Sequence, residues 1–272
     1  MTETFRWQAA DGQSMHGCIW PTEGEAKGTV CLVHGLGEHI GRYEHVAKAL
    51  NEAGWDVAGF DQRGHGRSGG RRGVIPSYAS LLDDTRLFLV RQRHRQQGKS
   101  VALYGHSMGG NLVLNFLLQK PGTDLPQKAI VTSPALQLPV SNSQIILSKW
   151  ASKILPHVTM KNGIPASKLS RDRAVVEAYQ QDPLVHDRIS LLLAHCLFHY
   201  GEHAMNCGDA ISVPTLLLHG RADAVCLIGG SETLATAASQ IDFRTWEEGF
   251  HELHNEPNRE EILQTIVQWL NE

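Results

Sequence analysis

The chain has no basic stretch leading into an apolar segment near its start, and no apolar run long enough to span a bilayer. A secreted or membrane-spanning protein is therefore not expected; the cytoplasm is, with peripheral contact at membranes allowed. Cysteine is sparse: Cys18, Cys31, Cys196, Cys207 and Cys226 are odd in number and widely spaced. With no C-x-x-C pair and no interleaved histidines, neither a disulfide framework nor a zinc site is indicated. Low-complexity tracts are missing, and so is a charge excess, the formal net charge being −3 over 272 residues. The basic cluster Arg91, Arg93, His94, Arg95 and Lys99 closes a helical pattern, where cations complement the helix dipole. A nucleic-acid partner is not expected.

What is present is alternation. Short apolar or β-branched runs at 29–33, 56–60, 101–104, 129–132, 215–218 and 243–246 read as strands. Helical patterns at 43–53, 78–97, 109–119, 230–239 and 258–270 fall between and after them. This predicts an α/β fold with a mostly parallel sheet flanked by helices. Residues 5–8 and 15–20 alternate polar and apolar around Asp11-Gly12, as an antiparallel hairpin at the sheet edge would. The spacing breaks once, where about eighty residues separate Pro134 from Pro214. The reading is one core, 1–136 and 209–272, with an inserted helical cap at 137–208. Inside the insert, Ile146, Trp150 and Ile154 form one i, i+4 row and Leu147, Ala151 and Leu155 another, flanked by Lys149, Lys153 and Lys161. Such a helix either packs this stripe on the core or offers it as a lid to a membrane or micelle.

Gly105-His106-Ser107-Met108-Gly109 spells G-x-S-x-G between a predicted strand and a predicted helix. A turn that tight strains the serine's backbone and leaves room only for small neighbours, which Gly105 and Gly109 are. A serine hydroxyl needs a base within reach and a group to orient that base. Asp223 follows one strand in Gly220-Arg221-Ala222-Asp223, and His251 follows the next in Glu248-Gly249-Phe250-His251. Serine, aspartate, histidine is the chain order of an α/β-hydrolase. Asp209 and Asp242 are weaker candidates for the acid, and His34, His106, His219 and His254 for the base. The oxyanion donors are assigned to the backbone N–H groups of Leu36, in the loop His34-Gly35-Leu36-Gly37-Glu38, and of Met108.

Two other patterns are set aside. His251-Glu252-Leu253-His254 has a spacing of three, off the H-E-x-x-H metalloprotease pattern, so no metal is expected. Gly64-His65-Gly66-Arg67-Ser68-Gly69 matches G-x-G-x-x-G, with Asp83 and Asp84 near the spacing of a ribose-binding acid. The segment runs on into Gly70-Arg71-Arg72-Gly73 with no helix opening from the last glycine, which a dinucleotide site requires. No cofactor is expected.

The segments from His34 to Tyr43, from Asp61 to Gly69, Gly105 to Gly109, His219 to Asp223 and His251 to Glu256 together resemble the monoacylglycerol lipase and lysophospholipase-like branch of the α/β-hydrolases. The resemblance covers nearly the whole chain except the cap. It implies Ser107 as nucleophile, Asp223 and His251 as its partners, and Leu36 and Met108 as oxyanion donors. It also implies that Glu38, Arg42 and His254 line a polar pocket where a glycerol head leaves; an i, i+4 ion pair between Glu38 and Arg42 is the competing reading. Cys226 sits where this branch can carry a thiol near the site. The expected function is cleavage of carboxylic esters through an acyl-enzyme, with monoacylglycerol as substrate. A lysophospholipase or a short-chain carboxylesterase is the alternative, and a binder that has lost the chemistry is disfavoured because all three residues are present.

Overall fold

The computed structural model describes residues 2–96, 98–119 and 124–272; position 97, the end of the expected 78–97 helix, lies outside them. In chain order the strands are β1 (Glu3–Gln8), β2 (Ser14–Trp20), β3 (Gly28–Val33), β4 (Asp56–Asp61), β5 (Ser100–His106), β6 (Lys128–Thr132), β7 (Thr159–Lys161), β8 (Arg188–Ser190), β9 (Thr215–Gly220) and β10 (Ile241–Trp246). The helices are α1 (Glu44–Glu52), α2 (Tyr78–Arg95), α3 (Met108–Leu117), α4 (Asn142–Ile154), α5 (Arg173–Gln181), α6 (Leu191–Asn206), α7 (Ile228–Ala237) and α8 (Arg259–Asn271).

Eight strands form one sheet in the order β1-β2-β4-β3-β5-β6-β9-β10. From β4 to β10 neighbours run parallel. At one edge β1 and β2 pair antiparallel, Glu3 opposite Ile19, and β2 runs antiparallel to β4. The central strands are buried on both faces, so their side chains alternate between two apolar layers rather than between core and water. Val30 and Leu32 point to the layer that holds Val46 and Leu50 of α1 and Ile262 and Ile266 of α8. Cys31 and Val33 point to the other, with Phe88 of α2, Leu112 of α3, Leu193 of α6 and Leu234 of α7. Parallel strands put their C-terminal ends on one edge of the sheet, and loops leaving that edge carry the chemistry.

Between β6 and β9 the chain forms α4, α5 and α6 with a two-stranded antiparallel β7–β8 sheet, a pair too short to be read from sequence. This segment is tied to the core by backbone hydrogen bonds from His186 N–H to Gly37 O (2.8 Å), Ser190 N–H to Gly73 O (2.8 Å) and Glu252 N–H to Leu169 O (2.8 Å). On α4 the apolar stripe does not pack on the core: Ser152 is its buried residue, while Ile146, Leu147, Trp150 and Ile154 are exposed.

Candidate active site

Ser107 leaves β5 and opens α3 with φ 54° and ψ −116°. A non-glycine residue rarely occupies this left-handed region, and the surrounding chain has to hold it there. The neighbouring glycines explain how. A Cβ on Gly109 would collide with the carbonyl oxygens of Val33 and His34, and one on Gly105 with the Gly109 carbonyl and Val113. The Ser107 N–H donates to Thr132 O (3.0 Å), and its carbonyl accepts from Asn111 and Ala135 N–H (3.0 Å each), which fixes the turn on three sides.

The three expected residues converge. Ser107 Oγ lies 2.9 Å from His251 Nε2, and His251 Nδ1 lies 2.8 Å from Asp223 Oδ2. All three are buried, each on a loop leaving the C-terminal end of a different strand. Burial works against a charged His251 ring, but the Asp223 charge and its hydrogen bond outweigh it and raise the imidazole above its ordinary value. Burial opposes ionisation of Asp223 as well, yet His251 and His219 beside it hold the carboxyl well below the usual carboxylate range. The arrangement can take a proton from the serine hydroxyl and return it to a leaving group.

The loop after β3 faces the serine. Leu36 borders the space beside Ser107, and its N–H makes no hydrogen bond among the described residues. Met108 is the first residue of α3, where a helix leaves N–H groups without an internal acceptor. Glu38 shapes the loop from beneath: Oε1 accepts from Gly35 N–H (2.6 Å) and the Tyr43 hydroxyl (2.7 Å).

Of the three residues linked to a polar pocket, the structure brings one to it. Glu38 borders the cavity together with Glu252, Tyr179, Ile164 and Leu169. Arg42 stands behind them, clamped by Glu252 through its two terminal guanidinium nitrogens (2.7 and 2.6 Å) and by Glu38 (2.7 Å), with Tyr179 under its face at 4.8 Å. The i, i+4 ion pair is thus present and extended by a second carboxylate. His254 is fully buried, stacked on Tyr43 at 4.7 Å and edge-on to His106 at 4.8 Å. Neither Arg42 nor His254 borders the cavity. No sequence signal links Arg42 to Glu252, since 210 positions separate them.

The competing histidines have other partners. His34 Nδ1 meets Gly35 O (2.8 Å), and its Nε2 accepts from Gln62 N–H (2.9 Å). His106 bonds the Thr132 side chain at 3.0 Å, and burial with His251 beside it pushes its ring down to about 4. His219 touches Asp223 instead of Ser107. Asp242 pairs with Arg244, and Asp209 is exposed in a short 3-10 turn. Cys226 lies beside Ser107, and burial keeps its thiol protonated. In the glycine-rich loop, Gly66 (φ 48°) leaves room for the Asp61 carboxylate, and Arg63 occupies Asp84 at 2.7 and 2.8 Å. The next helix, α2, begins at Tyr78, so that loop has no phosphate-binding helix start.

The cavity beside Ser107 holds about 10 Å³, room for about one water molecule. A groove of about 1040 Å³ lies along α1, lined by Trp20, Arg42, His45 and Lys48 among others. Ser107, Asp223 and His251 do not line it, and Arg42 is its connection to the network behind Ser107.

Comparison with known proteins gives the chain's family. Residues 24–258 match the family described as serine aminopeptidase, S33. An uncharacterized abhydrolase domain-containing protein of Dictyostelium discoideum is 35% identical over 97% of this chain, which spans only 28% of that protein's length. A monoacylglycerol lipase of Mycolicibacterium smegmatis is 30% identical, covering 93% of this chain and 91% of the relative. The crystal structure of the Paleococcus ferrophilus monoacylglycerol lipase superposes with a TM-score of 0.85 at 33% identity, covering 94% and 98% of the two chains. The chain belongs to the serine aminopeptidase S33 family and is a serine ester hydrolase of the α/β-hydrolase fold.

Proposed function

We propose that the chain hydrolyses monoacylglycerols to a fatty acid and glycerol, with Ser107 as nucleophile, His251 as general base and acid, and Asp223 as the group that orients His251. Ser107 Oγ attacks the ester carbonyl as His251 Nε2 takes its proton, and the Leu36 and Met108 N–H groups receive the oxyanion. The intermediate collapses to an acyl-enzyme when His251 protonates the leaving alcohol. Water, deprotonated by the same imidazole, releases the acid and restores Ser107. The observation that carries this reading is the unbroken relay, 2.9 and 2.8 Å, from Ser107 through His251 to Asp223.

A neutral leaving group is favoured by charge. Glu38 and Glu252 border the cavity and share one guanidinium, so this wall keeps a net negative charge that repels the phosphate of a lysophospholipid. The cap in this reading is 137–208, over a core of 1–136 and 209–272. An acyl chain does not fit the closed cavity, so Ile164, Leu169 and Tyr179 have to move for substrate to enter. The exposed apolar face of α4 and the flanking lysines support transient contact with a membrane or micelle through this cap, and no helix among the described residues is long and apolar enough to cross a membrane.

The test is release of glycerol and fatty acid from 1-monoacylglycerols of increasing chain length, with a fluorophosphonate probe to count live serines and Ser107→Ala as control. Turnover with a chain-length optimum, lost together with labelling in Ser107→Ala, is expected. Labelling without monoacylglycerol turnover, or faster turnover of lysophosphatidylcholine, would overturn the substrate; wild-type activity in Ser107→Ala would overturn the nucleophile.

A further inference from the structure

The two oxygens of Asp223 have divided duties. Oδ1 accepts the backbone N–H groups of Val225 (2.8 Å) and Cys226 (3.0 Å), which closes the turn after β9. Oδ2 accepts from His251 at 2.8 Å, and a second imidazole reaches the same atom: His219 Nε2 stands 3.2 Å away. His219 is the last residue but one of β9, fully buried, and absent from the cavity beside Ser107. It lies behind the acid, where it cannot act as the base.

The partners of His219 fix its hydrogen-bond pattern. Nε2 faces two acceptors, Asp223 Oδ2 and Cys226 O at 2.9 Å, and no donor. A lone pair there would oppose two oxygen lone pairs, so Nε2 carries a proton, hydrogen-bonded to Cys226 O with Asp223 Oδ2 standing 3.2 Å from the same nitrogen. Nδ1 is then the acceptor, and the hydroxyl of Ser231, 2.8 Å away on α7 and fully buried, donates to it. An element outside the triad thus orients the ring that touches the triad's acid.

We propose that His219, oriented by Ser231, is a positioning residue of the hydrolytic site: its Nε2–H holds the Asp223 carboxylate in the rotamer that meets His251 and takes up part of the carboxylate's charge. The proposal rests on reading Ser107, Asp223 and His251 as the triad. Its chemical sense lies in balance. Asp223 has to stabilise the imidazolium as the proton leaves Ser107, and without another donor near Oδ2 it would raise the imidazole further and make return of that proton to the leaving alcohol harder. A second donor on the same oxygen weakens the hold without breaking the contact.

Two nearly isosteric substitutions separate donation from packing. His219→Gln keeps an N–H close to the place of Nε2, whereas His219→Met fills similar volume and donates nothing. For His219→Met, kcat on a soluble short-chain ester is expected to fall about 10- to 100-fold, well short of the ~10⁴ cost of disabling a triad acid, with KM little changed. The acid limb of its kcat/KM profile is expected to move to higher pH, because Asp223 then binds the imidazolium more tightly. His219→Gln is expected to restore both. The groups facing His251 are Asp223, His106 from the end of β5, Glu38 from the loop after β3, and Glu252 and His254 from its own loop, and the substitution alters only the first. Ser231→Ala is expected to move the limb in the same direction by less.

Equal losses in His219→Gln and His219→Met, or a wild-type profile in His219→Met, would overturn the proposal. If His219→Met does not fold, Ser231→Ala decides: an unmoved acid limb overturns the proposal and a raised one supports it. Fluorophosphonate labelling of the unsubstituted protein keeps the two readings apart. No labelling there means that the triad reading has failed, while labelling with indifferent His219 variants means that only the positioning role has.

Discussion

Replacing Ile146 and Trp150 with serine should weaken attachment to lipid and leave the catalytic centre intact. Both side chains stand on the outward face of α4, Ile146 being 59% exposed and Trp150 60% exposed. Full burial of a large apolar side chain is worth about 1.5–3 kcal/mol, so transfer of the exposed share of each into acyl chains is worth about 1–2 kcal/mol. The pair together contributes about 2–4 kcal/mol, a factor of about 30 to several hundred in the partition constant at 1.4 kcal/mol per tenfold. Against this, the folded state loses little, since exposed substitutions usually stay within about 0.5 kcal/mol, although Lys153 over the Trp150 ring at 5.2 Å is also given up. The assay pairs co-sedimentation with vesicles against turnover on two substrates, micellar monoacylglycerol and a soluble short-chain ester. Weaker sedimentation and a higher KM on micelles, with unchanged turnover of the soluble ester, are expected. Equal losses on both substrates would refute the reasoning and mean that α4 matters to the fold or the site rather than to the lipid surface.

Two further predictions follow from the buried charges. His251 has to be deprotonated to act as a base, and its ring is raised above 6.5 because Asp223 outweighs the effect of burial; kcat/KM should therefore fall towards acid with a midpoint above pH 6.5, and a midpoint below that value contradicts the assignment. Arg42→Ala strands Glu38 and Glu252, both buried, without their shared cation. Urea unfolding should show a loss of about 3–5 kcal/mol, as breaking a buried ion pair does, partly regained as pH falls and one carboxylate takes a proton; a loss under about 1 kcal/mol would mean that the network is not structural.

The strands and the tight turn at Ser107 were readable because their causes are local. A fully buried strand is an apolar run whichever way the chain later turns, and the nucleophile elbow needs glycine at 105 and 109 for reasons within reach of residue 107. The hairpin around Asp11-Gly12 was equally plain, with Gly12 at φ 81°. Boundaries slipped where a helix start lacks a side-chain cap: the helix expected at 230–239 runs from Ile228 to Ala237, and Leu227 before it offers no cap. Periodicity could not say which way the α4 stripe faces, because a row at i, i+4 looks the same against core or water. The pocket residues divided along the same line. Glu38 and Arg42 form an ion pair one helical turn apart, while Glu252 and Tyr179, which complete the cluster, come from distant parts of the chain.

By itself the sequence determined the α/β class, where the main-sheet segments fall along the chain and that Ser107, Asp223 and His251 follow strand ends in that order, since chain order, turn chemistry and apolar periodicity are all written along the chain. Only the tertiary structure decided what surrounds them: a cavity closed by Ile164, Leu169 and Tyr179, an Arg42 shared by two carboxylates, a His254 sealed in the interior and a His219 placed against Asp223. Apart from Glu38–Arg42 and His219–Asp223, each four positions apart, those contacts join residues dozens to hundreds of positions apart. They form when the sheet packs and the loops at its C-terminal edge meet, and side-chain chemistry read one residue at a time carries no record of which distant partner will arrive.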